Sequence, residues 1–203
     1  MTEKKGWTLV ARFSNADDSG KWSLRGSQNW WQYDIEDTKG QGNTTNPSDN
    51  DDMISPAFWL VSGYELMITR NDDPYTALLQ TTGGCLSGET FKSKIASNQG
   101  LWEKKRCNRG SCHVEYGGNY QNTEGFIQAN YCSNGFQRGD EIGFWCRYKD
   151  QNAAAMMIGG GGDDCSKADH GIGIKDHQHR RDFGNEAEDQ SLAVEYSLNL
   201  WVR

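Results

Sequence analysis

Two stretches of this chain concentrate the oxygen donors that a hard cation needs. Asp49, Asn50, Asp51 and Asp52 follow Asn43, Asn46 and Ser48, and Asp163, Asp164 and Asp169 follow the glycine run at residues 159–162. Ca²⁺ is held by carboxylates and carbonyls in a flexible loop without strict geometry. The candidate ligands are therefore Asp49, Asp51, Asp52, Asp163, Asp164 and Asp169. Residue type alone leaves the other reading open for both stretches, that of a solvated acidic turn. The EF-hand pattern is absent from each.

Histidine offers a second chemistry. His177 and His179 fall on the same side of an extended segment, with His170 and Asp182 close in sequence. Such a set could ligate zinc or copper or move protons. The polar surroundings at residues 175–190 favour surface histidines instead. No nucleophile elbow is present. The four consecutive glycines lack the Lys-Ser/Thr that completes a phosphate loop, which excludes a nucleotide site of that kind.

Cys85, Cys107, Cys112, Cys132, Cys146 and Cys165 contain no CxxC pair, and the histidines complete no zinc-finger spacing. An even count without metal spacing favours disulfides and an oxidising compartment, with connectivity open; free buried thiols in a cytosolic protein are the alternative. Asn43-Thr44-Thr45 is an N-glycosylation sequon, which fits a secreted surface loop and also arises by chance.

The elements that must position these residues belong to a folded chain. Its 203 residues carry 8 Trp, 8 Tyr and 7 Phe, too many large rings for a disordered segment. They suffice for one domain. The balance of 21 basic against 28 acidic residues, a net charge of −7, provides no positive field for nucleic acid. The composition also excludes membrane insertion. With 24 Gly and 3 Pro, turns are made mainly with Gly, Asn and Asp, which predicts many short strands.

Residues 6–14 (GWTLVARFS) predict a strand, and residues 37–52 an exposed loop without large apolar residues. Trp22, Trp30 and Trp31 read as core anchors, with a ligand-binding platform as the alternative. Residues 54–70 predict two strands joined at Ser62-Gly63; residues 78–95 a short strand and a short helix; residues 107–118 a turn-rich segment. Residues 125–130, 142–149 and 153–158 predict core strands. From Leu192 to Arg203 apolar and polar residues alternate, as in a half-buried strand. No helical stripe runs for three turns. The expected fold is α+β, mostly β and irregular, with twisted antiparallel sheets and few short helices. Residues 6–203 form the domain, and residues 1–5 are a leader remnant or residues added ahead of it.

Three stretches then point to a family: GWTLVARF at the start, MISPAFWLV at residues 53–61, and GFIQ at 125–128 leading to MIGGGG at 157–162. In this order, with the closing LWVR, the chain resembles the fibrinogen-like C-terminal domain of intelectins, the calcium-dependent X-type lectins. DHGIGI at 169–174 and YSLNLWVR at 196–203 are similar to the fibrinogen-like domains of secreted cnidarian proteins, skeletal organic matrix proteins of stony corals among them.

The resemblance implies an extracellular single domain with bound calcium and intrachain disulfides, whose ligands are glycan diols. Asn152 stands at the Asn of the intelectin Asn-x-Glu-His element, with Ala154 and Ala155 at its Glu and His; Asp169 stands at the later calcium-binding Asp. A sugar site in this chain is then built from Asn152, Asp163, Asp164, Asp169 and His170, with His177, His179 and Phe183 as the ring-bearing residues nearby.

The leading expectation is a secreted, non-enzymatic, calcium-dependent carbohydrate-recognition domain, with assembly into a homo-oligomer left open. A second is a structural domain of extracellular matrix or biomineral in which calcium only braces loops. A third is a metal-dependent enzyme using His170, His177 and His179.

Overall fold

The computed structural model describes residues 6–14, 16, 39–96, 103–104, 106–117, 141–149, 152–158, 170–172 and 195–203. Within these, the chain runs β1 (Thr8–Ser14), β2 (Met53–Ile54), α1 (Ala57–Leu60), β3 (Leu66–Arg70), β4 (Leu79–Thr81), α2 (Phe91–Ala96), β5 (Glu103–Lys104), β6 (Arg106–Tyr116), β7 (Glu141–Lys149), β8 (Asn152–Ile158), β9 (His170–Ile172) and β10 (Ser197–Val202). The strands form one sheet in the order β2-β1-β10-β3-β4-β6-β7-β8-β9, with β5 beside β7. Every pairing is antiparallel except β5 with β7. The mostly β architecture with few short helices is the one expected.

Alternation along β1 and β10 gives this part of the sheet two unlike faces. On one, Ala11 lies opposite Leu200 and Leu200 opposite Ile68, while Phe13 lies opposite Leu198. These residues are buried in the hydrophobic core, together with Val10, Ile54, Leu66 and Val202. Phe58 of α1 and Phe91 of α2 close the core, their ring centroids 5.4 Å apart. Burying each such ring removes apolar surface worth roughly 2–3 kcal/mol from water.

On the other face, Met53, Arg12, Asn199 and Thr69 form a row across β2, β1, β10 and β3, with Ser14 opposite Ser197. All six are buried. The half-buried strand expected at the C-terminus is thus buried on both faces, with Ser197 and Asn199 as completely buried as Leu198 and Leu200 and Trp201 half-buried. Residues 41–52 provide the cover. The ends of this loop are pinned where Gln41 N–H donates to Ile54 O at 2.7 Å and Ile54 N–H to Gln41 O at 2.9 Å. Gly42, at φ +81°, passes so close that a Cβ there would lie 2.6 Å from Asp52 O; only glycine fits that approach.

Arg12 joins the loop to the sheet. Its guanidinium donates from Nε to Asp51 O at 2.8 Å, from Nη1 to Asn46 O at 2.8 Å, and from Nη2 to Asn43 O at 3.2 Å and to the Asp51 carboxylate. Asp49 Oδ2 lies 3.8 Å from Nη2. Around it, Ser14 N–H donates to Asp52 Oδ1 at 2.8 Å, Ser197 Oγ to Asp49 O at 2.9 Å and Asn199 Nδ2 to Pro47 O at 2.8 Å. The loop residues are largely exposed on their outer side, as expected, but they bind the sheet on their inner side.

Two further expectations are corrected. The first half of residues 54–70 is a two-residue strand followed by α1, because Pro56 lacks an N–H for a ladder and sits at φ −53°, ψ −27°, which starts a helical turn. Residues 107–118 were expected to be turn-rich, yet the backbone forms β6, an eleven-residue strand held between β4 and β7. Strand preference depends on neighbours more than on residue type, and a register shift between Arg109 and Cys112 takes up the irregularity. Expected elements that match are β1, β4, α2, β7 and β8. Trp22, Trp30, Trp31 and residues 125–130 lie outside the described residues.

Two predictions follow from this packing. Replacing Arg12 by Met keeps most of the volume and leaves the loop acceptors without their donor. We expect a loss of about 3 kcal/mol in urea unfolding, at the low end for a broken buried pair because Asp51 is 55% exposed. Tyr196 is buried, and burial pushes its phenol up, with Arg70 partly offsetting and Asp72 adding to the shift. Folded protein then keeps the phenol proton where unfolded protein has lost it, so stability is full below about pH 10 and falls as pH rises beyond it. Tyr196→Phe is expected to flatten that alkaline loss in chemical melts recorded across the range.

Candidate functional site

The six aspartates named from the sequence divide between described and undescribed residues. Asp49, Asp51 and Asp52 are placed in the loop over the polar face; Asp163, Asp164 and Asp169 lie outside the described residues, as do His177, His179, Phe183 and the glycines at 159–162. Asn152 opens β8 opposite Lys149, and His170 opens β9 opposite Ile158 at the far end of β8. Six residues of extended chain separate those positions, about 20 Å. The structure does not bring Asn152 and His170 together.

Several oxygens of residues 43–52 that a calcium ion could use already have partners within the protein. Asn43 O, Asn46 O, Asp51 O and the Asp51 carboxylate all accept from Arg12. Asp49 accepts from Asn43 Nδ2 at 2.7 Å and from Asn46 Nδ2. A cation thus stands at the centre of this donor set, tethered to β1. A divalent ion bound to those same acceptors would meet its repulsion and compete for their lone pairs. Among the described residues no cluster of three or more His, Cys, Asp or Glu is arranged to hold a metal.

A second surface is built between the short strand and the short helix expected at residues 78–95. Residues 83–88 form a tight loop with Gly83, Gly84, Ser87 and Gly88 all at positive φ. It is fixed from three sides. Cys85 and Cys112 form a disulfide with Cα atoms 5.4 Å apart, tying the turn to β6. Leu86 N–H donates to Tyr64 O at 2.9 Å and Gly88 N–H to Gly63 O at 2.9 Å. Glu65 accepts from Gly84 N–H at 2.6 Å through one oxygen and from Thr81 Oγ1 at 2.5 Å through the other.

Upon this turn lies Tyr64. Its ring carbons lie 4.0 and 3.8 Å from the positions where a Cβ would stand on Gly84 and Gly88. The residue is nevertheless 61% exposed. Its own backbone is anchored, since Tyr64 N–H donates to Arg203 O at 2.7 Å. An exposed ring on a rigid backbone can stack on an apolar or sugar face while its hydroxyl takes part in hydrogen bonding. The sequence signal for it was an aromatic between Gly63 and Glu65 with no place in an apolar alternation, and nothing in the sequence pairs it with a turn twenty residues later.

The cysteines expected to form disulfides do so at Cys85 and Cys112. Cys107 and Cys146 occupy directly opposed register positions on β6 and β7, while Cys132 and Cys165 lie outside the described residues. No helix among the described residues is long and apolar enough to cross a membrane.

No protein-family model matches this chain. No curated protein matches it either. The fibrinogen-like resemblance therefore rests on the motifs quoted above.

The Cys85–Cys112 bridge spans a sequence separation of 27, and loop closure of that size stabilises a fold by about 3 kcal/mol. The double variant Cys85→Ala/Cys112→Ala is expected to lose most of that in denaturant unfolding, and its unfolding midpoint should no longer respond to reductant acting at this pair. A peptide map under non-reducing conditions checks the linkage directly.

Proposed function

We propose that this chain is an extracellular, non-enzymatic recognition domain whose ligands are glycans. One observation supports the reading: an exposed tyrosine ring set on a turn that a disulfide, a carboxylate and two backbone hydrogen bonds hold in place. Preorganised aromatic surface binds with little ordering cost. The disulfide suits an oxidising compartment, and the resemblance to fibrinogen-like lectin domains points to the same ligand class. In this reading calcium belongs with Asp163, Asp164 and Asp169, since residues 43–52 are engaged by Arg12.

A second reading, a structural domain of an extracellular matrix, is favoured by the same Arg12 arrangement. There the oxygen-rich loop braces the fold, and the net charge of −7 leaves an acidic surface for mineral or basic partners.

A glycan array probed with wild-type protein and Tyr64→Ala, each in calcium and in EDTA, separates these. The expected result is binding to a defined subset of glycans in calcium and about ten-fold or greater weakening in Tyr64→Ala, with the Cys85–Cys112 linkage intact in both proteins. An array that stays blank in every condition, with adsorption to calcium carbonate, overturns the glycan reading in favour of the matrix one.

A further inference from the structure

We infer that Asn43 is an acceptor for N-linked glycan, placed so that the folded domain carries the sugar on the outer side of the loop that Arg12 holds. The inference rests on the extracellular part of the reading above, because the donor, a lipid-diphosphate-linked oligosaccharide, is met in the secretory pathway.

Asn43-Thr44-Thr45 is the one place in the whole sequence where Asn is followed by any residue but Pro and then by Ser or Thr. The neighbouring Asn46-Pro47-Ser48 has the same ends but Pro in the middle, which bars it. Two separate requirements bear on such a site. The nascent chain must present the asparagine in a reactive turn, and the folded protein must have room for what was added.

The first is met by contacts that involve only the sequon itself. Asn43 Oδ1 accepts from Thr45 N–H at 3.1 Å and from Thr45 Oγ1 at 2.8 Å. Both bonds span two residues, so they form an Asx turn that does not need the rest of the fold. The hydroxyl draws electron density toward the amide oxygen and thereby acidifies Nδ2–H. In the transfer, Nδ2 forms a bond to C1 of the first sugar as the C1–O bond to the lipid diphosphate breaks; the amide gives up one proton and the lipid diphosphate leaves.

Room in the folded state is shown by exposure: Asn43, Thr44 and Thr45 are all exposed. What the fold uses of Asn43 is its carbonyl, which accepts from Arg12 at 3.2 Å, and its amide, which donates to Asp49 Oδ2 at 2.7 Å. Glycosylation replaces one of the two amide hydrogens and leaves one for Asp49. The carbonyl bond to Arg12 is untouched. A bulky, solvated substituent here covers the loop without entering the sheet face beneath it.

The test expresses the full chain behind a secretory leader in eukaryotic cells and examines the protein recovered from the medium. The expected result is a slower gel band that peptide-N-glycosidase collapses, with Asn43 converted to aspartate on release in peptide mass spectrometry and Asn46 unmodified. The slow band should vanish in Asn43→Gln and in Thr45→Ala and persist in Thr45→Ser, which keeps the hydroxyl. Secreted protein with the Cys85–Cys112 linkage formed but Asn43 unmodified overturns the inference, as does a slow band that survives Thr45→Ala. Reduced Cys85 and Cys112 in protein taken from its natural source would instead count against the extracellular reading, whatever the leader-fused chain shows.

Discussion

A guanidinium buried inside a sheet is the constraint around which this domain is organised. Arg12 is wholly buried, and a buried charge without hydrogen-bonding partners costs several kcal/mol. Strands on either side offer it Met53 and Asn199, which cannot neutralise it. The chain therefore has to bring acceptors from elsewhere, and it does so by folding residues 43–52 onto the polar face. Four acceptors from three residues meet the fork of donors, in the planar geometry that arginine favours. With the loop in place, Ser14, Ser197 and Asn199 find their own acceptors in it. The burial of the whole face follows from one cation.

This is also where the sequence was least legible. Local pattern shows which residues are apolar and at what period, and β1, β4, α2, β7 and β8 were read correctly on that basis. It cannot show that Arg12 and Asp51, 39 positions apart, are partners. An oxygen-rich loop looks the same whether it wraps a calcium ion or an arginine, since both take carbonyls and carboxylates. The alternation in β10 is equally clear, but alternation alone predicts that the polar side faces water. Under a loop that brings acceptors, Ser197 and Asn199 are as buried as Leu198 and Leu200. The strand β6 was missed because its hydrogen bonds come from its neighbours and its residues do not advertise them.

The surface around Tyr64 shows the complementary strategy. There the sheet and β6 support a turn that has little side-chain bulk of its own, and the backbone strain of a positive φ at Ser87 is held by the disulfide, Glu65 and the bonds to residues 63 and 64. Gly84 and Gly88 leave the backbone bare under the ring, so the tyrosine can lie on the turn and still expose most of its surface. The Arg12 loop and the Tyr64 turn both convert irregular chain into fixed surface, one with charge and one with a covalent bond.

The choice of an arginine over a metal at the first of these has a consequence for how the domain responds to its surroundings. A guanidinium is part of the chain and is not removed by chelators. Its fork also fixes direction, which a calcium ion with its loose coordination does not. The contacts that Arg12 makes with Asn43, Asn46 and Asp51 are accordingly made within the chain itself. Where calcium is held by oxygen donors outside this loop, as in the proposed reading, chelation and Arg12 substitution act on separable parts of the molecule, and their effects on stability should add.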